Sequence, residues 1–170
     1  IVHPSSLAVP LVAFGATLRI VGPRGAREVP AEEFFELPDR NLYGETALRP
    51  DELLTHVTLP PAKAMKSATY EVRFRSSHDW PIAFASVALQ LQGSTVSDAR
   101  VVLGAVAPIP WRSPDAEAAL KGQPVNEATA TKAAEAALTG AIPMTGNAYK
   151  VRVAKTAVKR AILHAAGVNG

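Results

Sequence analysis

Residues 82–106, IAFASVALQLQGSTVSDARVVLGAV, are the most informative stretch of this chain for its fold. Small and β-branched residues fill two segments, 82–92 and 96–106, and the Gly93-Ser94 pair between them predicts a tight turn. A segment of alternating polar and apolar residues, 69–74, precedes this hairpin and predicts another strand. Helices follow the strands rather than alternating with them. This order is typical of an α+β fold with an antiparallel sheet.

Three helices are predicted after the hairpin. The first begins at Ser113-Pro114, because serine is a good N-cap and proline is accepted at the first helical position. Asn126 caps the second helix, which extends to residue 138. Asn147 precedes the third, whose apolar residues recur at helical spacing. That apolar stripe consists of Val151, Ala154, Val158, Ala161 and Ala165.

The first 61 residues contain too many prolines for a long helix. Their pattern predicts short elements, which are a helix at 6–14, a hairpin at 17–30, one helical turn at 31–35 and a strand at 54–59. Pro60-Pro61 is the best candidate boundary. We therefore expect two domains, 1–61 and 62–170.

Composition excludes several classes of protein. The 170 residues are 48% hydrophobic and 19% charged, which is ordinary for a globular chain, and they include no cysteine. The chain therefore has no disulfide framework, thiolate metal site, cysteine-ligated iron–sulfur cluster or cysteine nucleophile of its own. No apolar run approaches the roughly 18 residues that a membrane span needs. The start, Ile-Val-His-Pro, is not a signal peptide, so we expect a cytoplasmic protein. It also lacks an initiator methionine, so we expect a longer gene product.

The net charge of +3 is concentrated at the C-terminus. Residues 147–170 contain no Asp or Glu but five cations, which are Lys150, Arg152, Lys155, Lys159 and Arg160. A nucleic-acid binder usually spreads basic residues with aromatics over a whole face, so no nucleic-acid partner is expected. A solvated helix face is one interpretation. The other is that Lys150, Lys155 and Lys159 face an acidic partner subunit.

The cluster His78-Asp79-Trp80 is the most suggestive of chemistry. It lies between two predicted strands, just after Arg73 and Arg75. Adjacent His and Asp cannot form a catalytic triad by proximity alone, and no Gly-x-Ser-x-Gly motif accompanies them. A turn whose tryptophan packs on the core is therefore an alternative. The four histidines stand too far apart in sequence to predict a metal site.

Five segments contain, in order, motifs of one protein family. They are HPSSLAVPLVAFGA (3–16), TALRPDELL (46–54), RFRSSHDWPIAFA (73–85), ARVVLGAVAPIPWR (99–112) and GNAYKV (146–151). These segments resemble motifs of the FAD-binding subunits of molybdenum hydroxylases. The first four family motifs are HPSDLAxALxALGA, LxPxEL(L/I), RxRxSxDW(A/P)(L/I) and ARVALGGVAPxPxR. The fifth segment resembles a common start of the family's last helix. That family includes the flavoproteins of xanthine dehydrogenase, aldehyde oxidoreductase and carbon monoxide dehydrogenase. The resemblance covers nearly the whole chain.

The resemblance implies a fold and a function. Residues 1–61 would be the C-terminal part of a PCMH-type FAD-binding domain. Residues 62–170 would be a CO dehydrogenase flavoprotein C-terminal-like domain, with a three-stranded antiparallel sheet covered by three helices. The cofactor would be FAD, and an iron–sulfur subunit with 2Fe–2S clusters and a molybdopterin subunit would be the partners. The complex would be an oxidoreductase in which the flavin passes electrons from the clusters to an acceptor. The chain itself would supply no catalytic residue. The isolated chain would be inactive.

The resemblance also implies cofactor-binding residues. Leu48 corresponds to a leucine near the flavin, Ser6 to a position that is usually Asp, and Glu71 to one where some members have Lys. The segment 72–82 corresponds to the loop beside the isoalloxazine ring, which makes Arg75, Asp79 and Trp80 further candidates. The family's glycine-rich diphosphate-binding segments precede the point where this chain starts. We therefore expect the isolated chain to bind FAD weakly or not at all. An interaction module that has lost FAD is the alternative function.

Overall fold

The computed structural model describes residues 2–61, 64–75 and 79–168. Within these residues the chain forms two antiparallel β-sheets and five α-helices, so the α+β prediction is confirmed. The elements in chain order are α1 (Ala8–Ala13), β1 (Thr17–Gly22), β2 (Gly25–Pro30), α2 (Ala31–Phe34), β3 (Leu53–Thr58), β4 (Met65–Val72), β5 (Ala83–Gln92), β6 (Thr95–Gly104), β7 (Trp111–Arg112), α3 (Pro114–Leu120), α4 (Glu127–Ala136) and α5 (Tyr149–Ala166).

The N-terminal sheet has the strand order β2-β1-β3. Its hairpin turns tightly between Gly22 and Gly25, and Gly25 has a φ of 102°, which favours glycine. On the inner face of β1, Leu18 and Ile20 are buried. The domain boundary expected after residue 61 stays a prediction.

The C-terminal sheet has the order β4-β5-β6-β7. The three predicted strands are present, although β4 is displaced toward the N-terminus, from the predicted 69–74 to Met65–Val72. The two-residue strand β7 joins the sheet as a fourth strand, with Trp111 opposite Leu103. A strand of two residues is too short to show an alternating pattern, so the sequence offered no signal for β7.

Helices α3, α4 and α5 cover one face of the C-terminal sheet. The predicted N-caps are present, since Ser113 Oγ accepts a hydrogen bond from Ala116 N at 3.3 Å and Asn126 forms a capping box with Thr129. Val151 is half-buried and the other four residues of the α5 stripe are buried. Alanines dominate this helix face, which allows the helices to approach the small residues of β5 closely.

Helix α1 covers the opposite face of the C-terminal sheet, and the N-terminal sheet contributes to the same buried cluster. Val9 and Val12 of α1 and Ile20 of β1 form one buried cluster with Phe84 of β5 and Val102 of β6. The two sheets therefore share a hydrophobic core.

An ion-pair network also connects the two sheets. Glu32 of α2 accepts hydrogen bonds from Arg100 at 2.5 Å and from Arg112 at 3.0 Å. Arg112 donates in addition to Glu117 of α3, and these hydrogen bonds raise the pKa of Arg112. We refer to Glu32, Arg100, Arg112 and Glu117 as the junction network.

Candidate functional site

Four of the six candidate residues, Glu71, Arg75, Asp79 and Trp80, belong to one end of the C-terminal sheet. Glu71 of β4 is paired with Phe84 of β5, which is paired in turn with Gly104 of β6, so the three form one row across the sheet. Just beyond this row, Ile82 N donates to Val72 O at 2.7 Å and closes the loop that contains Arg75, Asp79 and Trp80. We call this region the sheet end. His78 lies outside the described residues.

The N-terminal segment also reaches the sheet end. His3 N donates a hydrogen bond of 2.9 Å to Ala107 O, which lies in the loop after β6. The rings of His3 and Phe35 meet edge to face, with 4.7 Å between their centroids. Burial lowers the pKa of His3. Ser5 Oγ accepts a hydrogen bond from Ala8 N at 3.1 Å and so serves the start of α1. Ser6 is exposed, and among the described residues its hydroxyl has no hydrogen-bond partner, which leaves it available to a ligand.

Leu48 is half-buried against the core cluster that contains Phe84. The turn after it is fixed by Glu52, whose carboxylate accepts from Arg27 at 2.8 and 3.1 Å and from Arg49 N at 3.0 Å. The hydrogen bonds from Arg27 are the main reason that the pKa of Glu52 falls from its ordinary value of 4.5 to about 2. An ionised carboxylate thus holds the Leu48 segment in place.

Glu71 forms an ion pair with Arg73, two residues along the same chain. Its side chain is mostly covered, and Arg73 neutralises its charge locally. Glu71 therefore does not leave an unbalanced negative charge at the sheet end.

The aromatic residues of the loop point away from the core. Trp80 is 68% exposed, and Phe74 is also exposed. The alternative interpretation, a turn whose tryptophan packs on the core, is therefore wrong. Arg75 is exposed and Asp79 half-buried. Exposed aromatic surface next to charged side chains is suited to contact a planar ligand ring.

Two further residues of the sheet end were not anticipated in this role. Lys150, at the start of α5, donates from Nζ to Ala105 O at 2.6 Å, and burial lowers its pKa. Ala105 has a φ of 60°, an unusual backbone conformation for alanine. The expectation that Lys150 faces solvent or a partner is wrong, because the amine supports the loop after β6. Lys159 is likewise engaged within the chain, with Glu127 at 2.5 Å.

The sheet end offers a surface rather than an enclosed pocket. A cavity of about 230 Å³ lies beside it, between α1 and the strands β4 and β5, and the Thr69–Ser86 hydroxyl pair forms part of its wall. Within residues 2–61, 64–75 and 79–168 no group of three His, Asp or Glu side chains could hold a metal ion. No helix in the same described ranges has the length and apolar character to cross a membrane.

Comparison with known proteins identifies the two halves of the chain. Residues 2–62 match the FAD binding domain in molybdopterin dehydrogenase, and residues 68–165 match the CO dehydrogenase flavoprotein C-terminal domain.

Individual relatives agree with these matches. The aldehyde oxidoreductase FAD-binding subunit PaoB of Escherichia coli (strain K12) is 36% identical over 119 residues, which are 69% of this chain and 36% of PaoB. The carbon monoxide dehydrogenase medium chain of Hydrogenophaga pseudoflava is 32% identical over 155 residues, 89% of this chain and 52% of the relative. Quinoline 2-oxidoreductase from Pseudomonas putida 86 superimposes with a TM-score of 0.84 at 29% identity, covering 97% of this chain and 57% of that one.

The chain thus spans about half the length, or less, of the relatives it matches. Two matches follow each other along the chain in the order that the sequence motifs indicated, and the fold agrees with a solved relative over nearly all residues. The chain therefore belongs to the CO dehydrogenase flavoprotein family, the FAD-binding subunits of molybdenum hydroxylases.

Proposed function

We propose that this chain belongs to the electron-transfer flavoprotein of a molybdenum hydroxylase. Electrons from 2Fe–2S clusters on a partner chain would reach FAD bound at the sheet end and leave to an acceptor. The observation that supports this best is the consecutive match of an FAD-binding domain and a flavoprotein C-terminal domain on one continuous fold.

The residues at the sheet end fit one wall of a flavin site. When bound, FAD supplies the redox chemistry, since it exchanges electrons with both one- and two-electron partners. Trp80 offers an exposed ring for stacking, Leu48 offers apolar surface, and Ser6 is exposed and carries a hydroxyl group. We propose that Arg75 and Asp79 set the local charge, because the Glu71–Arg73 pair is already neutral.

The same residues do not fit the diphosphate of FAD. A diphosphate is usually held by successive backbone N–H groups of a glycine-rich loop. The chain has 11 glycines, of which the nearest pairs in sequence are Gly22 with Gly25 and Gly167 with Gly170, so it contains no Gly-x-Gly segment. We therefore propose that the isolated chain binds FAD weakly or not at all, and that tight binding needs the further part present in the relatives.

A chimera tests the proposal. The stretch of the H. pseudoflava medium chain that lies outside the match would be fused to this chain, and the FAD content of the purified protein measured. We expect stoichiometric FAD in the chimera, and weakened binding in its Trp80→Ala variant. The control Ile142→Ala changes a residue that is 92% exposed in the segment between α4 and α5. Submicromolar FAD binding by the isolated chain would contradict the expected weak binding.

The alternative, an interaction module without FAD, makes a different prediction. It draws support from Ser6, at a position that is usually Asp in the family, and from Glu71, at a position where some members have Lys. If the chimera assembles with an iron–sulfur subunit and a molybdopterin subunit but contains no FAD, the interaction module is the better description.

We propose that the iron–sulfur subunit and the molybdopterin subunit are the partners of this chain. We also propose that only the complex has oxidoreductase activity, so the isolated chain would be inactive. Co-purification of the chimera with both subunits tests the assembly. The cytoplasmic location stays a prediction.

A further inference from the structure

Arg27 of β2 joins the N-terminal hairpin to the turn that carries Leu48. Its pairing with Ile20 places it on the core-facing side of the sheet. From there Nε and Nη2 donate to the two carboxylate oxygens of Glu52 at 3.1 and 2.8 Å. Nη2 also donates to Ala47 O at 2.7 Å. One planar guanidinium therefore fixes the distance between residues 47 and 52, the two ends of this turn.

The residues on both sides of Leu48 are held by their backbone groups. Ala47 N donates to Phe34 O at 2.8 Å, so the N–H and the C=O of Ala47 are both engaged. On the other side, Arg49 N donates to Glu52 Oε2 at 3.0 Å. Leu48 itself lies outside any helix or strand. The contacts of its two neighbours therefore determine where its side chain lies.

The pair between Arg27 and Glu52 is better suited to fix geometry than to add stability. The Glu52 side chain is only 5% exposed, whereas that of Arg27 is 34% exposed. A carboxylate buried to this extent loses its hydration, and the attraction within the ion pair does little more than offset this cost. Apolar residues of the same volume would pack here without that cost, but they could not direct hydrogen bonds to the backbone of an irregular turn.

We propose that Arg27 and Glu52 are positioning residues for FAD, which hold Leu48 in place as an apolar wall of the flavin site. Leu48 packs against the core cluster that contains Phe84 of β5, so a displaced turn would move this wall relative to the sheet end. Groups that bind a ligand have to be held within about 0.5 Å of their productive position. The contact of Leu48 with FAD, but not the geometry of the turn, rests on the proposed function.

The chimera described above provides the test, with Arg24→Met as the matched control. Arg24 donates to Asp51 at 2.7 and 2.9 Å and so joins the same hairpin to the same turn, but within the described residues it donates no hydrogen bond to residues 47–49. FAD is removed from each chimera, and its dissociation constant is measured by titration where the variant is fully folded. We expect Arg27→Met and Glu52→Gln to weaken FAD binding about tenfold and Arg24→Met to change it less than about twofold.

Two further measurements separate positioning from stability. Arg27→Lys keeps the charge but replaces the planar fork by a point charge. We expect it to recover much of the thermal stability lost in Arg27→Met and still to bind FAD more weakly than the wild type. Hydrogen exchange in the isolated chain follows the amides of Ala47 and Arg49. These should exchange about tenfold faster in Arg27→Met than in the wild type or in Arg24→Met.

Each result supports or overturns the proposal. Equal FAD affinity of Arg27→Met and Arg24→Met overturns it, as does an Arg27→Lys variant that binds FAD as tightly as the wild type. If Arg27→Met does not fold, Arg27→Lys and Glu52→Gln carry the same comparison. If the chimera does not fold, exchange in the isolated chain decides, and unchanged rates at Ala47 and Arg49 overturn the proposal. A wild-type chimera without FAD contradicts the proposed function, whereas FAD bound equally well by all variants contradicts only this inference.

Discussion

Ala105 adopts a backbone conformation that suits glycine. Its φ of 60° lies in the left-handed region, where a non-glycine residue costs about 1–2 kcal/mol. Its methyl group is buried, and burial of one such group is worth about 0.8 kcal/mol. We expect Ala105→Gly to stabilise the protein slightly, by up to about 1 kcal/mol, as the difference of these terms. Ala105→Val should destabilise it, because a β-branched residue fits this region poorly. Urea unfolding measures the free energy of unfolding, which we expect to decrease from Gly to Ala to Val at position 105. A Val variant as stable as the wild type would contradict this prediction.

Glu52 makes stability depend on acidity. Its native pKa of about 2 lies below the ordinary 4.5, so the native state binds its proton less readily than the unfolded chain. This carboxylate therefore stabilises the fold above pH 4.5 and loses that contribution as the pH falls toward 2. We expect Glu52→Gln to melt at a lower temperature than the wild type at neutral pH, and the two to converge in acid. Thermal unfolding across this range checks it, with Glu28→Gln on exposed β2 as the control. A constant difference at all pH values would contradict the assignment.

At the scale of elements, Gly104 sets how closely β5 and β6 pack. A Cβ added to Gly104 would overlap the ring of Phe84, its partner across the strands. We expect Gly104→Ala to destabilise the protein by about 1–3 kcal/mol. Phe84→Leu should relieve part of this cost by shortening the side chain, so the two changes should be non-additive. A double-mutant cycle by urea unfolding measures the coupling, and strict additivity would show that the contact is unimportant.

Lys150 connects helix α5 to the loop after β6. Its amine donates a hydrogen bond to Ala105 O. A methionine at position 150 would keep the apolar part of the side chain but could not donate this hydrogen bond. We expect Lys150→Met to raise hydrogen exchange in residues 105–110 with little change elsewhere in the protein. Lys155→Met, on the same helix, is the control. If both variants exchange alike, Lys150 does not support the loop.

Elements with local signals could be predicted from sequence, and those fixed by distant contacts could not. The turn at Gly93-Ser94 and the caps Ser113 and Asn126 satisfy backbone geometry within a few residues, so their positions follow from the sequence. Strand β7 exists only because β6 lies beside it. Lys150 looked like part of a basic face because its acceptor, Ala105, is 45 residues away. The exposure of Trp80 likewise depends on which elements pack nearby, which local pattern does not encode.

At the scale of the whole molecule, the junction network joins helix α2 to the C-terminal sheet beside the core that the two sheets share. Glu32 lies on α2 after the N-terminal hairpin, whereas Arg100 and Arg112 belong to the C-terminal sheet. Arg100 already has a buried Nε with no hydrogen-bond partner among the described residues. Loss of the shared carboxylate charge would therefore leave Arg100 without an ionised partner among the residues that the structure describes.

We expect Glu32→Gln to destabilise the protein by about 1 kcal/mol, the upper end of the range for partly exposed ion pairs. We also expect the two sheets of this variant to unfold less cooperatively than those of the wild type. Glu33→Gln is the matched control, since Glu33 is the exposed next residue of α2 and no ion pair joins it to another described residue. Urea unfolding followed by circular dichroism and by tryptophan fluorescence tests both parts, with Trp80→Phe as the background so that Trp111 is the reporter. The two unfolding curves should coincide in the wild type and diverge in Glu32→Gln. About 0.5 M salt should reduce the difference in stability between the wild type and Glu32→Gln, because salt screens partly exposed charges. Equal stability of the two glutamine variants would show that packing alone joins the sheets.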